Sequence, residues 1–380
     1  MELILKQYDI PLLRFSATND SSTPEIEVHW INEDQRHLLP LDMELSPEGI
    51  SRWMRRRTIP RNRAYVNRLL AKCGLNANRP MGILALCKGL SVDDSYWVVE
   101  EGFEGTFEKY NLFENRFSEV LALIAFTGYG SSNRSSLASS PEFTTNGMLP
   151  KCWRRISGKV TLYKGGTDGG YNTGAEPYCE YYAAQVAAAM GIDAIPYGLS
   201  QWKGRLCSTC ELFTDIDHAY MPIGNLVQRG GFDAVAAYYE NLGEPFQKAF
   251  RDMLVFDAVI CNTDRHYGNF GFIIDNKTNT IAAPAPLFDH GNSLFNQAGP
   301  EDYENAEAFQ QYINTLVPCV YDDFFATAKR FMADENREQL RKLLGFRFKR
   351  HVRYNLPPKR LKLMEEQVRK RAMRLLENKD

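Results

Sequence analysis

The sequence predicts an α+β fold of two lobes, in which a mixed N-terminal lobe precedes a mainly helical C-terminal lobe. Two observations predict this fold: β-type runs alternate with a strong helical segment between residues 150 and 215, and the pattern beyond residue 300 is helical. The length of 380 residues exceeds the core of a single domain. We place an accessory region at residues 1–110, the mixed lobe at 111–215 and the helical lobe at 216–380.

The composition is that of an ordinary globular protein, with 44% hydrophobic and 24% charged residues. The net charge of -2 gives no overall attraction to nucleic acid, so we expect no direct nucleic-acid binding, although basic residues gather at 52–63 and from 341 onward. The longest apolar run, residues 120–126, is too short to cross a bilayer, and the first residues lack a signal-peptide pattern. We therefore expect a cytoplasmic protein with no membrane association.

The eight cysteines are scattered among apolar segments, which is typical of a reducing compartment. Cys207 and Cys210 have the spacing of a redox or zinc pair, but the chain has no second such pair, and His218 lies outside the usual ligand spacing. We interpret them as strand cysteines that face the core.

The accessory region begins with an acidic and aromatic stretch to about Leu41 and continues with a helical candidate from Ser46 to Leu75. The run SPEGISRW at residues 46–53 is typical of a capped helix start. Charge runs on helices are usually solvated, so we expect the arginines of this helix to face water. They are Arg52, Arg55, Arg56, Arg57, Arg61 and Arg63.

The mixed lobe begins with an apolar run at residues 116–126, which predicts a buried helix. A serine- and threonine-rich stretch, YGSSNRSSLASSPEFTTNG, follows and predicts a mobile loop, because it has almost no core-forming residues. Residues 151–163 predict a hairpin that turns at Ser157 and Gly158, so Lys164 lies at the end of a strand. A helix at 176–190 ends at Gly191, and two strands joined through Lys203 and Gly204 come next.

The helical lobe contains an amphipathic helix at residues 246–260, directly before Asp264. FGFIID and IAAPAPLFD predict a hairpin that returns Asp289 to the edge where Asp264 lies. The last helix starts after Pro357 and Pro358 and is basic and amphipathic, which favours packing or a partner surface.

Carboxylate and amide side chains between residues 264 and 289 indicate phosphoryl transfer, which needs a charge clamp more than covalent chemistry. In CNTDRHYGNFG, Asp264 is the candidate that accepts a proton from an attacking hydroxyl, and the amide oxygen of Asn269 is a candidate magnesium ligand. Asp289, in APLFDHG, is a second magnesium ligand.

Lys164, at a strand end, precedes a helix that contains Glu180, and this order suits a phosphate-binding lysine steadied by a glutamate. Glu176 is the rival partner. Arg265 and His266 flank Asp264, and we give them supporting roles that brace the loop by hydrogen bonds. Each of these residue patterns is weak evidence for phosphoryl transfer by itself, but their order along the chain is specific.

NTDRHYGNFG and PLFDHG resemble the catalytic and metal-binding motifs of HipA-like serine/threonine kinases, and the DRH order is also similar to that of phosphatidylinositol kinases. The resemblance extends back through TTNGMLPK, VTLYKGG and EYYAAQVAAAMGI, so it covers residues 142–295. It implies a two-lobed protein-kinase-like fold and an ATP- and Mg²⁺-dependent kinase. The same resemblance implies that Asp264 is the catalytic base, that Asn269 and Asp289 bind Mg²⁺, and that Lys164 binds ATP phosphate.

The resemblance also implies functions for two further segments. The loop from Thr144 to Lys151, with Gly147 at its centre, covers the ATP phosphates. The segment from Cys210 to Phe213, which includes Glu211, is the hinge that receives adenine.

Regulation and partners follow from the same resemblance. Thr144, where the family commonly has serine, or its neighbour Thr145 is an autophosphorylation candidate whose modification abolishes ATP binding. A small helix-turn-helix protein of the antitoxin type is the implied partner, while the sequence does not indicate the phosphorylated protein substrate.

Two features depart from the family pattern. The first hundred residues do not match its amino-terminal subdomain, and the glycine-rich run GGTDGGYNTG follows Lys164, whereas the glycine loop of a protein kinase precedes its lysine. Three alternatives therefore stay open: a lipid or small-molecule kinase, a nucleotidyl transferase, and a toxin-antitoxin component whose arginine-rich helix contacts DNA or a DNA-bound partner.

Overall fold

The computed structural model describes residues 1–18, 24–130 and 140–377 of the chain. Two compact units divide the chain. The first unit comprises Met1–Lys164, Glu211–Met221 and Ile273–Ala282. The second unit comprises Gly165–Cys210, Pro222–Phe272 and Ala283–Asp380.

The first unit opens with an antiparallel sheet whose strand order is β3-β2-β1-β4. Leu5 lies opposite Leu13 on one side and Val98 on the other, and all three side chains are buried on the same face, as the twofold repeat of a strand requires. The strands are β1 (Glu2–Gln7), β2 (Ile10–Ala17), β3 (Ile26–Ile31) and β4 (Tyr96–Glu100). The stretch before Leu41 therefore forms most of a sheet.

Helices follow these strands in the first unit. They are α1 (Pro47–Arg56), α2 (Val66–Lys72), α3 (Pro80–Cys87), α4 (Phe107–Tyr110) and α5 (Glu119–Thr127), with short 3-10 helices at Glu33–Leu38 and Pro141–Phe143. Ser46 caps α1 by accepting a hydrogen bond from the Gly49 N–H at 3.1 Å, as expected. The single helix predicted from Ser46 to Leu75 is wrong. It breaks after α1, where Pro60 disfavours helical backbone.

The expectation that all arginines of this region face water is also wrong. Arg57 is 6% exposed and Arg63 is 2% exposed. Arg57 donates hydrogen bonds to Asp94 Oδ1 at 2.9 Å, the Tyr96 carbonyl at 2.7 Å and the Gly89 carbonyl at 2.8 Å. The residues that bury these two arginines are distant in sequence, so helical periodicity contains no sign of them.

The predicted hairpin of β5 (Lys151–Ile156) and β6 (Lys159–Gly165) is confirmed. Its turn residues Ser157 and Gly158 have φ values of 49° and 85°, which is the left-handed backbone of a tight hairpin turn. Residues 131–139, which form part of the predicted mobile loop, lie outside the described residues.

Most of a three-stranded sheet, in the order β11-β10-β9, also belongs to the first unit. Its strands are β9 (His218–Pro222), β10 (Gly271–Asp275) and β11 (Thr280–Pro284). In the turn between β10 and β11, the Asn279 amide donates to the carbonyls of His37 and Leu39 at 2.8 and 2.7 Å. The polar turn predicted at NKTNT is thus fastened to the N-terminal part of the same unit.

The second unit is mainly helical and also contains residues 165–210, which were predicted from the sequence to lie in the mixed lobe. Its elements are α6 (Glu176–Met190), β7 (Gly198–Trp202), β8 (Arg205–Glu211), α7 (Ile223–Leu226), α8 (Gly231–Leu242), α9 (Phe246–Ile260), α10 (Ala306–Ile313), α11 (Phe324–Phe331), α12 (Asp334–Arg341) and α13 (Pro358–Leu376). Helix α9 is buried from Asp252 to Ile260 and packs against α8, α11 and α13. The loop that follows α9 therefore starts from the centre of this unit.

On β8, Cys207 is buried and Cys210 is half-buried, and neither forms a disulfide. Among residues 1–18, 24–130 and 140–377, no cluster of three histidine, cysteine or acidic side chains has metal-binding geometry. Within the same ranges, no helix is both long enough and apolar enough to cross a membrane.

Candidate active site

Asp264 lies in a tight turn directly after α9. Its N–H donates to Asn262 Oδ1 at 3.1 Å, and its carbonyl accepts the His266 N–H at 2.8 Å. The Asn292 amide nitrogen donates to Asp264 Oδ2 at 2.8 Å, so this bond fixes the direction of the half-buried carboxylate. Asn292 was not predicted as a site residue. The one feature of the sequence that points to it is its position three residues after Asp289.

Asn269 ends the same turn and is buried. Its backbone N–H donates to the His266 carbonyl at 2.9 Å, and its side-chain nitrogen donates to the Asp264 carbonyl at 3.3 Å. The amide oxygen is then the atom suited to a metal ion. The spacing of five residues between Asp264 and Asn269 is closed by hydrogen bonds within the turn.

Asp289 adopts left-handed backbone with a φ of 56°, which is uncommon for a residue other than glycine and is frequent at functional sites. Its N–H donates to the Tyr197 hydroxyl at 3.1 Å, and the next N–H, that of His290, donates to Glu180 Oε2 at 2.8 Å. Burial raises the pKa of the Tyr197 hydroxyl, and the negative charges of Glu180 and Asp289 add to this shift. Tyr197 therefore stays protonated beside two carboxylates.

Arg265 joins the Asp264 turn to the Asp289 loop, although its neighbour His266 is exposed. Nε and Nη2 donate to the two oxygens of Asp257 at 2.9 and 3.0 Å. Nη1 donates to the carbonyls of Asn269 and Phe288 at 3.1 and 2.6 Å. These contacts suit the supporting role predicted for Arg265, whereas the His266 ring accepts the Gly268 N–H within the turn at 3.1 Å.

His290 is a further partner of the Arg265 guanidinium. Nη2 lies 3.0 Å from His290 Nδ1, and because an arginine only donates, this nitrogen is the acceptor and the neutral ring carries its proton on Nε2. Burial lowers the pKa of the Arg265 guanidinium, but the charge and hydrogen bonds of Asp257 outweigh burial and raise it above its ordinary value. Asp257 was not predicted as a site residue, although an acidic residue on the apolar face of α9 is a visible signal.

Glu176 and Glu180 lie one turn apart on α6 and are both buried. Glu176 accepts the N–H of Thr167 at 3.2 Å and also its hydroxyl. Glu180 instead accepts the His290 N–H beside Asp289. A side chain at Gly291 would contact both glutamates, with 3.3 Å to Glu176 Cβ and 3.5 Å to Glu180 Oε1. Of the two rivals, Glu180 is the one bonded to the candidate metal loop.

In the first unit, the hydroxyls of Thr144 and Thr145 are both engaged. Thr144 is 4% exposed and donates to the Leu90 carbonyl at 2.9 Å. Thr145 donates to the Pro141 carbonyl at 2.7 Å and accepts from Trp153 Nε1 at 2.9 Å. This end of the polar stretch differs from the expected mobile loop, because Pro141 and Phe143 are buried and anchor it.

Two lysines face each other across the β5–β6 hairpin of the first unit. Lys151 pairs in register with Lys164, and each is 6% exposed. Directly opposite positions of an antiparallel pair project to the same face. Lys151 Nζ also donates to the Asn146 carbonyl at 2.8 Å, and Gly147, with a φ of 89°, has no room for a side chain beside that ammonium group.

The predicted hinge residues Glu211 and Phe213 belong to the first unit, at the last residue of β8 and two residues beyond it. Glu211 forms an exposed ion pair with Lys159 at 2.7 Å. The Phe213 ring packs edge-on against Tyr220, with 5.5 Å between ring centroids. The structure thus brings Asp264, Asn269, Asp289, Arg265 and Glu180 together in the second unit, and Thr144, Thr145, Gly147, Lys151 and Lys164 together in the first.

The helical second unit contains an Asp-x4-Asn turn and an Asp-His-Gly loop, and a lysine-bearing hairpin precedes them in the chain. In these features the chain resembles the HipA-like kinases. Comparison with solved structures agrees. HipA of Shewanella oneidensis MR-1, solved with HipB and operator DNA as parts of a toxin-antitoxin system, has the same fold. The TM-score is 0.53 at 13% identity, with 98% of this chain and 97% of HipA covered. The predicted kinase-like α+β fold is confirmed.

A second relative is CtkA of Helicobacter pylori. This chain is 27% identical over 135 residues to the serine/threonine-protein kinase CtkA of strain J99, which covers 32% of this chain and 41% of CtkA. The crystal structure of the H. pylori proinflammatory kinase CtkA aligns with a TM-score of 0.48 and 16% identity, covering 61% of this chain and 90% of that one. No family model matches the chain.

Proposed function

We propose that this protein is an ATP- and magnesium-dependent protein serine/threonine kinase of the HipA-like type. The observation that carries the proposal is the hydrogen-bonded assembly of Asp264, Asn269 and the Asp289 loop around Arg265. The 27% identity to a serine/threonine-protein kinase supports it. When bound, ATP would supply the transferable phosphoryl group, and its magnesium ion would neutralise the charge that develops on that group.

The residues present fit a magnesium ion. Magnesium prefers oxygen ligands and is usually held by one or two carboxylates together with substrate phosphates. The amide oxygen of Asn269 and the carboxylate of Asp289 provide this donor set. Arg265 bonds to backbone carbonyls of both loops, so it holds the loops without consuming these two metal ligands.

Asp264 is the proposed acceptor of the substrate hydroxyl proton. Asn292 occupies Oδ2, so the other carboxylate oxygen, Oδ1, is the one that we assign to the acceptor hydroxyl. The anchoring hydrogen bond keeps the carboxylate in one orientation, which is how a positioned base contributes to catalysis.

Lys151 and Lys164 are the proposed ATP phosphate ligands. The hairpin register places the two lysines directly opposite each other, so both side chains project from the same face, where they can contact one polyphosphate. We assign the hinge around Glu211 and Phe213 to adenine, and Glu180 to the support of the Asp289 loop through the His290 N–H.

We further propose a small helix-turn-helix protein as partner, because the solved HipA that shares this fold was crystallised with HipB and operator DNA. The protein substrate is not specified by these observations. Affinity purification of the chain from its own cells, followed by mass spectrometry, tests the partner, and recovery of the chain alone contradicts it.

Incubation of the purified protein with γ-labelled ATP, Mg²⁺ and a generic protein substrate tests the kinase proposal. We expect label on serine or threonine in the wild type and none with Asp264→Asn. Parallel incubation with α-labelled ATP is the control. Transfer of α-label would contradict the kinase and favour the nucleotidyl transferase, whereas label on lipid would favour a lipid kinase.

A further inference from the structure

Arg63, between α1 and α2, is buried in the first unit, where both its side chain and that of Glu142 are essentially inaccessible to solvent. Its guanidinium donates to Glu142 Oε2 and to the Glu142 carbonyl, each at 2.5 Å. It also donates to the Lys151 carbonyl at 2.9 Å and to the Thr145 carbonyl at 3.3 Å. One planar group thus serves four acceptors.

These acceptors bracket the segment from Thr145 to Lys151, which we call the phosphate loop. Thr145 lies at its start and Lys151 at its end, so Arg63 crosslinks its two ends. The neighbouring Ala64 N–H donates to the Met148 carbonyl at 2.9 Å and fixes the middle. Residues 63 and 64, in the accessory region, therefore determine the path of the loop.

Glu142 extends this crosslink to β5, because its second oxygen accepts the Trp153 N–H at 2.8 Å. Burial raises the pKa of the Glu142 carboxyl, although the Arg63 charge and the Trp153 N–H oppose that shift. A buried ion pair of this kind costs much of its own attraction in desolvation, so it is better understood as a device that specifies one geometry.

We infer that Arg63 is a positioning residue for ATP binding: it holds the phosphate loop so that Gly147 and the Lys151 ammonium meet the ATP phosphates. The accessory region is then a working part of the nucleotide site. This inference rests on the proposed kinase function, since it assigns a role within the same site.

The test compares Arg63→Lys with the matched control Arg57→Lys. Both arginines are buried in the first unit and bond to one carboxylate and to backbone carbonyls, but only Arg63 contacts the phosphate loop. Lysine keeps the charge and loses the planar fork. We expect KM for ATP to rise about tenfold or more in Arg63→Lys with kcat within a few-fold of the wild type, and to stay unchanged in Arg57→Lys.

Hydrogen exchange of the peptide covering residues 142–153, measured without ATP, is the second readout. We expect faster exchange there in Arg63→Lys than in Arg57→Lys, at equal global stability. Equal KM values, or equal exchange of this peptide, would overturn the inference. Failure of the wild type to bind ATP would instead overturn the proposed function, and the exchange result would still show whether Arg63 fixes the loop.

Discussion

Arg265 and Asp257 form a buried bidentate pair, with both guanidinium–carboxylate hydrogen bonds within 3.0 Å and side-chain exposures of 1% and 0%. The pair attaches the candidate catalytic turn to the core of α9. Since the same guanidinium also bonds to the carbonyls of Asn269 and Phe288, the geometry of the two proposed metal ligands, Asn269 and Asp289, depends on Arg265.

Asp257→Asn leaves a buried arginine without its counter-charge. We expect a loss of about 3–5 kcal/mol in the free energy of unfolding, measured by urea denaturation. The control is Asp233→Asn, which breaks an exposed pair with Arg330 at 3.6 Å and should change stability by less than about 0.5 kcal/mol. Equal effects of the two substitutions would show that the buried pair does not hold the unit together.

Asp264→Asn and Asp289→Asn should each reduce phosphotransfer by about a hundredfold or more while the fold stays intact, because both remove charge from the reacting centre and neither removes core volume. Titration calorimetry with MgATP separates the roles. Asp289→Asn should weaken binding, whereas Asp264→Asn should preserve it, since a base acts on the acceptor hydroxyl. Identical affinities in the two variants would contradict the assignment.

Local pattern was sufficient for much of this fold. The bounds predicted for α6 and α9 coincide with those observed, and so does the turn at Ser157 and Gly158, because helix formers and a left-handed turn act over a few neighbouring residues. The turn from Asp264 to Asn269 is also closed by bonds within itself.

Contacts between residues that are distant in sequence could not be predicted from local pattern. Arg57 bonds to a carboxylate 37 residues away and Arg63 to one 79 residues away, so both were expected to be solvated. Asn292 orients Asp264 across 28 residues. A charged residue has the same position in a helical pattern whether its side chain is solvated or bonds to a buried partner. Only the tertiary fold distinguishes these two cases.

Lys164→Ala should raise the dissociation constant for MgATP, because it removes one of two opposed ammonium groups. Glu180→Ala should affect binding less and turnover about as much, since Glu180 accepts the His290 N–H next to Asp289. Glu176→Ala is the matched control, because the Glu176 carboxylate is bonded to Thr167. Steady-state kinetics that assign the turnover defect to Glu176→Ala would reverse the two roles.

Asp93 predicts a pH dependence of stability. Burial, with the neighbouring charge of Asp94, raises the pKa of Asp93 from 3.8 to about 6. A carboxyl whose pKa is raised by folding favours the folded state when protonated, so its contribution to stability falls as pH rises from about 4 through 6. Asp93→Asn should therefore stabilise the protein at pH 7.5 by up to about 3 kcal/mol, and by little at pH 4. A constant difference across this range would contradict the assignment.

Thr144 and Thr145 remain the predicted autophosphorylation sites, and the hydrogen bonds that both hydroxyls form add a condition. A phosphate adds a charge of about -1.5 to -2, which neither the buried Thr144 nor Thr145 beneath Trp153 can accommodate in place. Modification of Thr145 therefore requires the phosphate loop to break its hydrogen bonds to Arg63, and modification of Thr144 requires loss of its bond to the Leu90 carbonyl. The added charge should then prevent the loop from returning to this position and abolish ATP binding. Mass spectrometry after incubation with MgATP tests this, with Asp264→Asn as the inactive control. We expect phosphate on one threonine in active enzyme and faster modification in Arg63→Lys. Active enzyme without phosphate on either residue, or phosphorylated enzyme that still binds ATP, would rule out the switch.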